Sequence, residues 1–530
     1  MATFKLDDQD IEFLPGDTIL KAAHRAGVDI PHYCWHPGLS VAANCRMCLV
    51  ELLPPPGRAA LKLDVLRWDP EQKSYIKEQK PKLVPACQQS VGEGMQVLSQ
   101  NSEHVQKARA AVQELLLLNH PVDCPICDQA GECRLQDYWL NHQHEKKRMR
   151  DEPVHKPKAV VFGPTIVYDA ERCIVCTRCV RFCEEVAKDP VLSLRERGNQ
   201  NEIVLAPGRQ LDHDYTLMTE LVCPVGALTA QDFRFKARVW FLRSARTVCV
   251  GCATGCNAYT DYDPRNQQVY RHRPRENPTV NGYWMCDAGM LDYQRIHHHR
   301  ILKALVDGKS ASRSSALDRA VALLSGTPSG KIAGVLGAEY SQRDNAALLW
   351  LGKQLGIEAW FESGRPDGKA DDILMHADKN PNSAGVRRLL GSEPRPSSEL
   401  VQGLEAGSFE LVLALGSSLK SKEGDGPAPI PGKRIVLSRH PGPLTEGAQV
   451  VLPACSWVEA AGSYVNAQGV EQASEAAIEP LGDSAAPFEL VGALCVALGH
   501  PPPEPPKGRG HRREASAPVN DSGNQGASAS

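Results

Sequence analysis

Apolar and polar positions alternate from Thr3 to Phe13 around the polar pair Asp7-Asp8, the two-residue period of a short β-hairpin. Thr18 to Ala26 reads as a short helix stopped by Gly27, and a loop carrying Cys34 follows. Val105, Ala108, Val112, Leu115 and Leu116 then recur at the spacing of one helix face. Pro121 ends that helix, because proline disfavours helical dihedrals in the residue before it and pushes His120 into an extended conformation. Past residue 290 the character changes. Lys331–Leu336, Leu411–Leu415, Arg434–Leu437 and Gln449–Leu452 are short apolar runs of the kind that form buried strands, separated by segments of helical potential such as Asn345–Leu355. That alternation predicts a doubly wound α/β domain. From Pro501 to Ser530 the chain is Pro, Gly, Ser and charge, too poor in apolar surface to order itself, so a disordered tail is expected.

At 530 residues there is room for several domains of about 150 residues each. A formal charge of -3 provides no basic footprint and argues against a nucleic-acid partner. Met1–Asp10 shows no cationic segment followed by an apolar run, and the longest apolar stretch, Leu490–Leu498, falls far below the roughly 20 residues of a membrane span. A chain on the cytoplasmic side of the inner (plasma) membrane, reaching that membrane through partners and not through a span of its own, is expected.

Eighteen cysteines are many for a reducing compartment, where clustered thiols signal metal or redox sites more often than disulfides. Sixteen fall into four groups. The first reads Cys34-x10-Cys45-x2-Cys48-x38-Cys87, close-spaced loop cysteines plus a distant one as in plant-type [2Fe-2S] ferredoxins, although the first step departs from the plant spacing. A four-cysteine zinc knuckle is the alternative. The second, His120-x3-Cys124-x2-Cys127-x5-Cys133, suits either a tetrahedral zinc or a [4Fe-4S] cluster by spacing alone. The third runs Cys173-x2-Cys176-x2-Cys179-x3-Cys183 and closes with Cys223-Pro224. Without a second triad, one [4Fe-4S] cluster on Cys173, Cys176, Cys179 and Cys223 is the economical assignment, leaving Cys183 as a buried unligated thiol. The fourth is Cys249-x2-Cys252-x3-Cys256-x29-Cys286. His32, His36 and His297–His299 read as ordinary structural histidines.

Contexts around these residues carry a resemblance. Ile30-Pro-His-Tyr-Cys-Trp-His-Pro-Gly-Leu, Asn44-Cys-Arg-Met-Cys-Leu-Val-Glu, His120-Pro-Val-Asp-Cys-Pro-Ile-Cys-Asp-Gln-Ala-Gly-Glu-Cys and Cys223-Pro-Val-Gly-Ala-Leu resemble the large peripheral-arm iron-sulfur subunits of NADH-quinone oxidoreductase, respiratory complex I. The fourth group, with Arg275-Glu-Asn-Pro and Asn281-Gly-Tyr-Trp-Met-Cys-Asp, resembles the [4Fe-4S] motif of molybdopterin-dependent oxidoreductases. The resemblance implies one [2Fe-2S] cluster on Cys34, Cys45, Cys48 and Cys87. It implies [4Fe-4S] clusters on His120, Cys124, Cys127 and Cys133; on Cys173, Cys176, Cys179 and Cys223; and on Cys249, Cys252, Cys256 and Cys286. Replacing one thiolate by neutral imidazole, taken alone, should raise the second cluster's potential.

The expected architecture is α+β ferredoxin-type iron-sulfur domains followed by an α/β truncated molybdopterin-oxidoreductase-like domain. Its parts are a plant-type [2Fe-2S] domain (1–100), a histidine-plus-three-cysteine segment (101–145), a bacterial-ferredoxin-like domain (146–240), a molybdopterin-oxidoreductase-type [4Fe-4S] domain (241–300), a domain without cofactor (301–500) and the tail (501–530). Val450-Val-Leu-Pro and Glu459-Ala-Ala-Gly-Ser-Tyr-Val-Asn466-Ala-Gln-Gly469 look like the strand and glycine loop of the molybdopterin fold, but Val470-Glu471 replaces its usual Gly-Arg. About 200 residues are few for a catalytic domain of that kind, and Cys455 sits in a packing context, so neither molybdopterin nor a molybdenum ligand is expected. No Gly-x-Gly-x-x-Gly or Walker A spacing supports a nicotinamide, flavin or nucleotide site. No catalytic residues of its own are expected. The implied function is a one-electron relay, an oxidoreductase subunit accepting electrons from flavin-bearing NADH dehydrogenase subunits and passing them toward the quinone-reducing module. The alternative is an electron-transfer subunit of a soluble NAD-linked hydrogenase or formate dehydrogenase.

Overall fold

The computed structural model describes residues 2–54, 59, 62–142, 148–420 and 430–504, so the expected tail lies, past Glu504, outside the described residues. Two compact units divide between Val239 and Trp240. The compositional change near residue 290 therefore falls inside the second unit, which holds the fourth cysteine group together with the α/β sheet.

In the first unit, β1 (Thr3–Leu6) and β2 (Gln9–Glu12) form the expected hairpin. Helix α1 (Ile19–Arg25) begins where the Thr18 hydroxyl accepts the Lys21 N–H and stops at Gly27, whose φ of +74° suits a residue without Cβ. β3 (Leu49–Leu53) follows, then a separate hairpin of β4 (Lys62–Asp69) and β5 (Ser74–Pro81), then β6 (Leu83–Pro85) and β7 (Gln96–Leu98). The sheet order is β2-β1-β7-β3-β6, with only the β1–β7 pair parallel among its strand pairs. Phe4, Leu6, Ile19, Leu20, Val50 and Val97 close one core that also holds Cys48 and Cys87.

Helix α2 (Glu103–Leu117) exists as its periodicity predicts, but its phase differs. Its buried stripe is Val105, Arg109 and Gln113, while Leu115 is exposed. Hydrogen bonds from distant chain segments explain the rotation. Arg109 donates to the Leu49 carbonyl and the Ser99 hydroxyl, and Gln113 accepts the Tyr33 hydroxyl while donating to the Leu135 carbonyl. α3 (Arg134–His142), β8 (Val160–Val161), β9 (Ile166–Tyr168), α4 (Arg178–Glu185), the hairpin β10 (Leu192–Arg195) and β11 (Glu202–Leu205), α5 (Met218–Val222) and β12 (Leu228–Ala230) complete this unit, with a three-stranded sheet β12-β9-β8.

The second unit opens with an antiparallel meander of β13 (Arg243–Val248), β14 (Asn257–Asp263) and β15 (Gln268–Pro274), followed by α6 (Asp287–Leu291). Then come β16 (Ala304–Val306), β17 (Lys309–Ala311), α7 (Arg313–Ser325), β18 (Ile332–Gly337), α8 (Gln342–Gln354), β19 (Trp360–Ser363), α9 (Ser383–Leu390), α10 (Ser397–Glu405), β20 (Leu411–Leu415), β21 (Lys433–Ser438) and β22 (Val450–Pro453). β23 (Gly462–Val465) pairs with β24 (Glu471–Ser474), and α11 (Pro487–Ala497) ends the described order. The main sheet runs β17-β16-β22-β21-β20-β18-β19, parallel from β22 to β19. Both faces are buried, as parallel sheets require. Ile332, Leu413, Leu437 and Leu452 face a core shared with α7, α8 and α11; Ala333, Val412, Val436 and Val451 face the one that holds Leu400 and Leu404 of α10.

Candidate metal centres

The first site forms where an irregular loop after α1 turns back toward β3. Ala43 and Arg46, on either side of Cys45, have φ of 51° and 60°, a left-handed conformation unusual for residues with a Cβ, which bends the loop around its cysteines. Cys34 touches Cys45 and Cys48 touches Cys87 through their sulfurs, and the two pairs interact with each other. The Cys45 and Cys48 thiols are pushed up by those partners first and by burial second.

At the second site, His120, Cys124, Cys127 and Cys133 together line one small space, with Asp123, Arg172 and Gly226 on its wall. A Cβ on Gly226 would overlap the Cys127 sulfur, so the absence of a side chain there leaves the thiol its place. The His120 Nδ1 is buried without a hydrogen-bond partner, and burial with nearby Arg172 pulls this imidazole down to about 4. An unpartnered nitrogen kept neutral is a ligand's condition. Burial pushes the Cys133 thiol up to about 12.

The third site has the same form. Cys173, Cys176, Cys179 and Cys223 line a second small space, together with Tyr168, Ile203 and Leu228. Val175 and Thr177 flank Cys176 with φ of 52° and 63°, a strained pair that turns successive sulfurs inward. The Val175 N–H points at the Cys173 sulfur from 3.4 Å. Burial raises all four thiols, Cys173, Cys176 and Cys223 to about 11. Cys183 does not line this space. It is fully buried, 3.6 Å from His213 Nε2, and pushed up to about 12 by burial.

In the second unit, Cys249, Cys252, Cys256 and Cys286 are all buried and within electrostatic reach of one another, and burial and then mutual repulsion raise Cys249 and Cys256. Gly251 donates its N–H to the Cys249 sulfur at 3.4 Å, and a Cβ on Gly289 would lie 2.9 Å from that sulfur. Cys455 packs beside the Ala485 backbone, and Cys495 belongs to the apolar core under α11.

Among the described residues no three His, Cys, Asp or Glu side chains converge tightly enough for a single metal ion. The four donor sets, the spaces that the second and third of them line, the orphaned His120 nitrogen and the bare glycines beside Cys127 and Cys249 fit iron-sulfur clusters.

Sequence reasoning did not single out the groups around the ligands. Asp123, beside Cys124, accepts from Arg172, beside Cys173, at 2.9 Å. Arg134, beside Cys133, donates to His32 Nε2 at 2.9 Å. Arg178 and Arg181 bracket Cys179 and bond backbone carbonyls around the first and third sites. The available signal was an arginine next to a ligand cysteine, repeated at Cys133-Arg134, Arg172-Cys173 and Arg178-Cys179.

Comparison with known proteins finds similarities along the chain. Residues 1–102 match a 2Fe-2S iron-sulfur cluster binding domain, 109–148 an NADH-ubiquinone oxidoreductase-G iron-sulfur binding region, 163–229 the ferredoxin-like domain of NADH-quinone oxidoreductase subunit 3, and 436–497 a molybdopterin oxidoreductase domain. The G subunit of NADH-quinone oxidoreductase from Rickettsia bellii is 36% identical over 59% of this chain and 42% of its own length. The same-named subunit of Rickettsia felis is 34% identical over 78% of this chain and 59% of its own. The NADH-ubiquinone oxidoreductase 75 kDa subunit of Reclinomonas americana is 33% identical over 71% and 52%. A chain from an NAD+-reducing [NiFe]-hydrogenase structure in the H2-reduced state aligns over 45% of this chain and 91% of that one at 28% identity, with a TM-score of 0.36. This chain thus spans about half the length of the curated relatives it matches. In its [2Fe-2S] and [4Fe-4S] ferredoxin-type domains leading into a molybdopterin-oxidoreductase-type α/β domain, in that order, the chain is similar to the G subunits of NADH-quinone oxidoreductases.

Proposed function

We propose that this chain is the iron-sulfur electron-relay subunit of an NADH:quinone oxidoreductase, carrying electrons from the flavin-bearing NADH dehydrogenase module toward the quinone-reducing module. The observation that carries this reading is that the second and third donor sets each come together around one shared space. Cys34, Cys45, Cys48 and Cys87 would hold a [2Fe-2S] cluster, and the sets starting at His120, Cys173 and Cys249 a [4Fe-4S] cluster each. Bound there, such clusters supply reversible one-electron transfer. The chain's own groups hold the ligands in place, exclude water and set local charge. Main-chain N–H groups aimed at sulfur, as at Val175 and Gly251, favour the thiolate form a ligand needs. On this reading the chain uses no molybdopterin of its own, and Cys455 is a buried thiol.

On this reading the chain is peripheral, held on the cytoplasmic side of the membrane by partner subunits; no helix among its described residues is long and apolar enough to cross a membrane. The assigning experiment is Cys176→Ala in the assembled complex. NADH-driven quinone reduction should stop while the flavin module still reduces an artificial acceptor. Normal quinone reduction in a correctly assembled variant would overturn the assignment.

A further inference from the structure

In the first unit, arginines beside the candidate ligands reach away from their own site toward another. Arg172 beside Cys173 pairs with Asp123 beside Cys124, and Arg134 beside Cys133 donates to His32, two residues before Cys34. Arg178 donates to the Trp35 carbonyl, next to Cys34, and to the Val222 carbonyl, next to Cys223, at 3.3 Å. Arg181 joins two ligands directly. Its Nη2 donates to the backbone carbonyl of Cys34 at 2.5 Å and to that of Cys176 at 3.4 Å, while Nη1 donates to the Ser40 carbonyl and Nε to the Thr177 hydroxyl.

Both α4 guanidiniums are buried, and these bonds go to neutral oxygens. A buried cation bonded only to carbonyls is costly unless negative charge lies near. Cys34 and Cys176, whose own or adjoining backbone carbonyls these guanidiniums hold, would supply that charge as ligand thiolates. The cations are therefore placed for anionic ligand sets on two sites at once.

We propose that Arg181 is a positioning residue that locks the first and third sites at one spacing and, with Arg178, supplies positive charge shared by both. The proposal rests on the relay reading only in requiring iron-sulfur groups at both sites. A unit charge on the order of 10 Å away, at an effective dielectric constant of about 20, changes a one-electron equilibrium about tenfold, or ~59 mV. Reduction adds negative charge, so removing the cation disfavours it.

The test uses the assembled complex, purified anaerobically, with Arg181→Met and Arg181→Lys. Iron and sulfide content, electron paramagnetic resonance redox titration and the magnetic interaction between the two reduced centres are measured. Arg181→Met with full iron should lower both reduction equilibria about tenfold and alter the magnetic interaction. Arg181→Lys should restore the potentials but leave the interaction altered, because an ammonium keeps the charge and loses the fork. Unchanged potentials and interaction in Arg181→Met, or a shift confined to one centre, would overturn the proposal. Should Arg181→Met not assemble, parent-like readings in Arg181→Lys overturn it, and an altered interaction at near-parent potentials supports it. A parent complex without iron signals from these sites refutes the relay reading instead.

Discussion

Gly289→Ala separates a liganded fourth site from a bare one. Gly289 lies within α6 and its φ is not in the left-handed region, so alanine fits the backbone and should favour the helix by up to about 1 kcal/mol. The new Cβ would stand 2.9 Å from Cys249 Sγ, 3.0 Å from Met285 Cε and 3.6 Å from Cys286 Sγ. Ordinary contact begins near 3.4 Å, so the Cys249 sulfur must retreat by 0.5 Å. A free thiol does this by a small rotation costing roughly 0.5–1.5 kcal/mol, which about cancels the helix gain. A ligating thiolate cannot, because ligand distances tolerate only about 0.2 Å. The cluster-free chain should therefore melt within about 4 °C of its parent, while anaerobically prepared protein loses about four irons per chain, the content of one [4Fe-4S] group. Gly330→Ala, with nothing within 4 Å of its Cβ, is the control. Iron content unchanged from the parent in Gly289→Ala would refute the reasoning.

Three further outcomes are expected. Cys223→Ala should remove about four irons while Cys183→Ala removes none and costs only about 1 kcal/mol in urea unfolding, because Cys183 lies outside the space lined by the third set. Burial alone would raise the Glu339 carboxyl, but Arg365, at 3.1 Å, together with Arg439 and Arg295, holds it at about 2 against an ordinary 4.5. That contributes about 3 kcal/mol to the second unit, fully present above pH 4.5 and lost as pH falls toward 2. Glu339→Gln should accordingly lower urea stability at pH 7, with a narrowing gap from the parent as pH drops below 4.5. In the core, a Cβ on Gly334 would overlap the Trp360 ring, so Gly334→Ala should destabilise by about 1–3 kcal/mol and show as a lower calorimetric midpoint.

The sequence was most legible where structure is local. β18, β20, β21 and β22 fall within two residues of the apolar runs because a strand buried on both faces needs apolar side chains at every position. β19 escaped notice because Trp-Phe-Glu-Ser offers only two apolar residues; Glu362 is tolerated there by Lys420, 3.5 Å away and 58 positions later in the chain. The phase of α2 was unreadable for the same reason. Arg109 and Gln113 look solvent-facing until Leu49, Ser99, Tyr33 and Leu135 arrive as partners.

The ligand sets and the residues between them differ in the same way. A thiol close to other thiols declares its chemistry by type and spacing, so all four groups stand out before any fold is known. An arginine declares nothing, because its usual place is a solvated surface. What marks Arg178 and Arg181 is that burial removes that option and their bonds run to carbonyls from loops about 140 residues away. On the proposed reading the chain carries two layers of design: local motifs that choose the metal group, and long-range cations that fix how neighbouring groups are spaced and charged. For an electron relay the second layer matters as much as the first, since exchange between centres falls steeply with separation and depends on their relative potentials. Substitutions in that layer should leave iron in place and change how the centres communicate, whereas substitutions of the ligands remove the centres themselves.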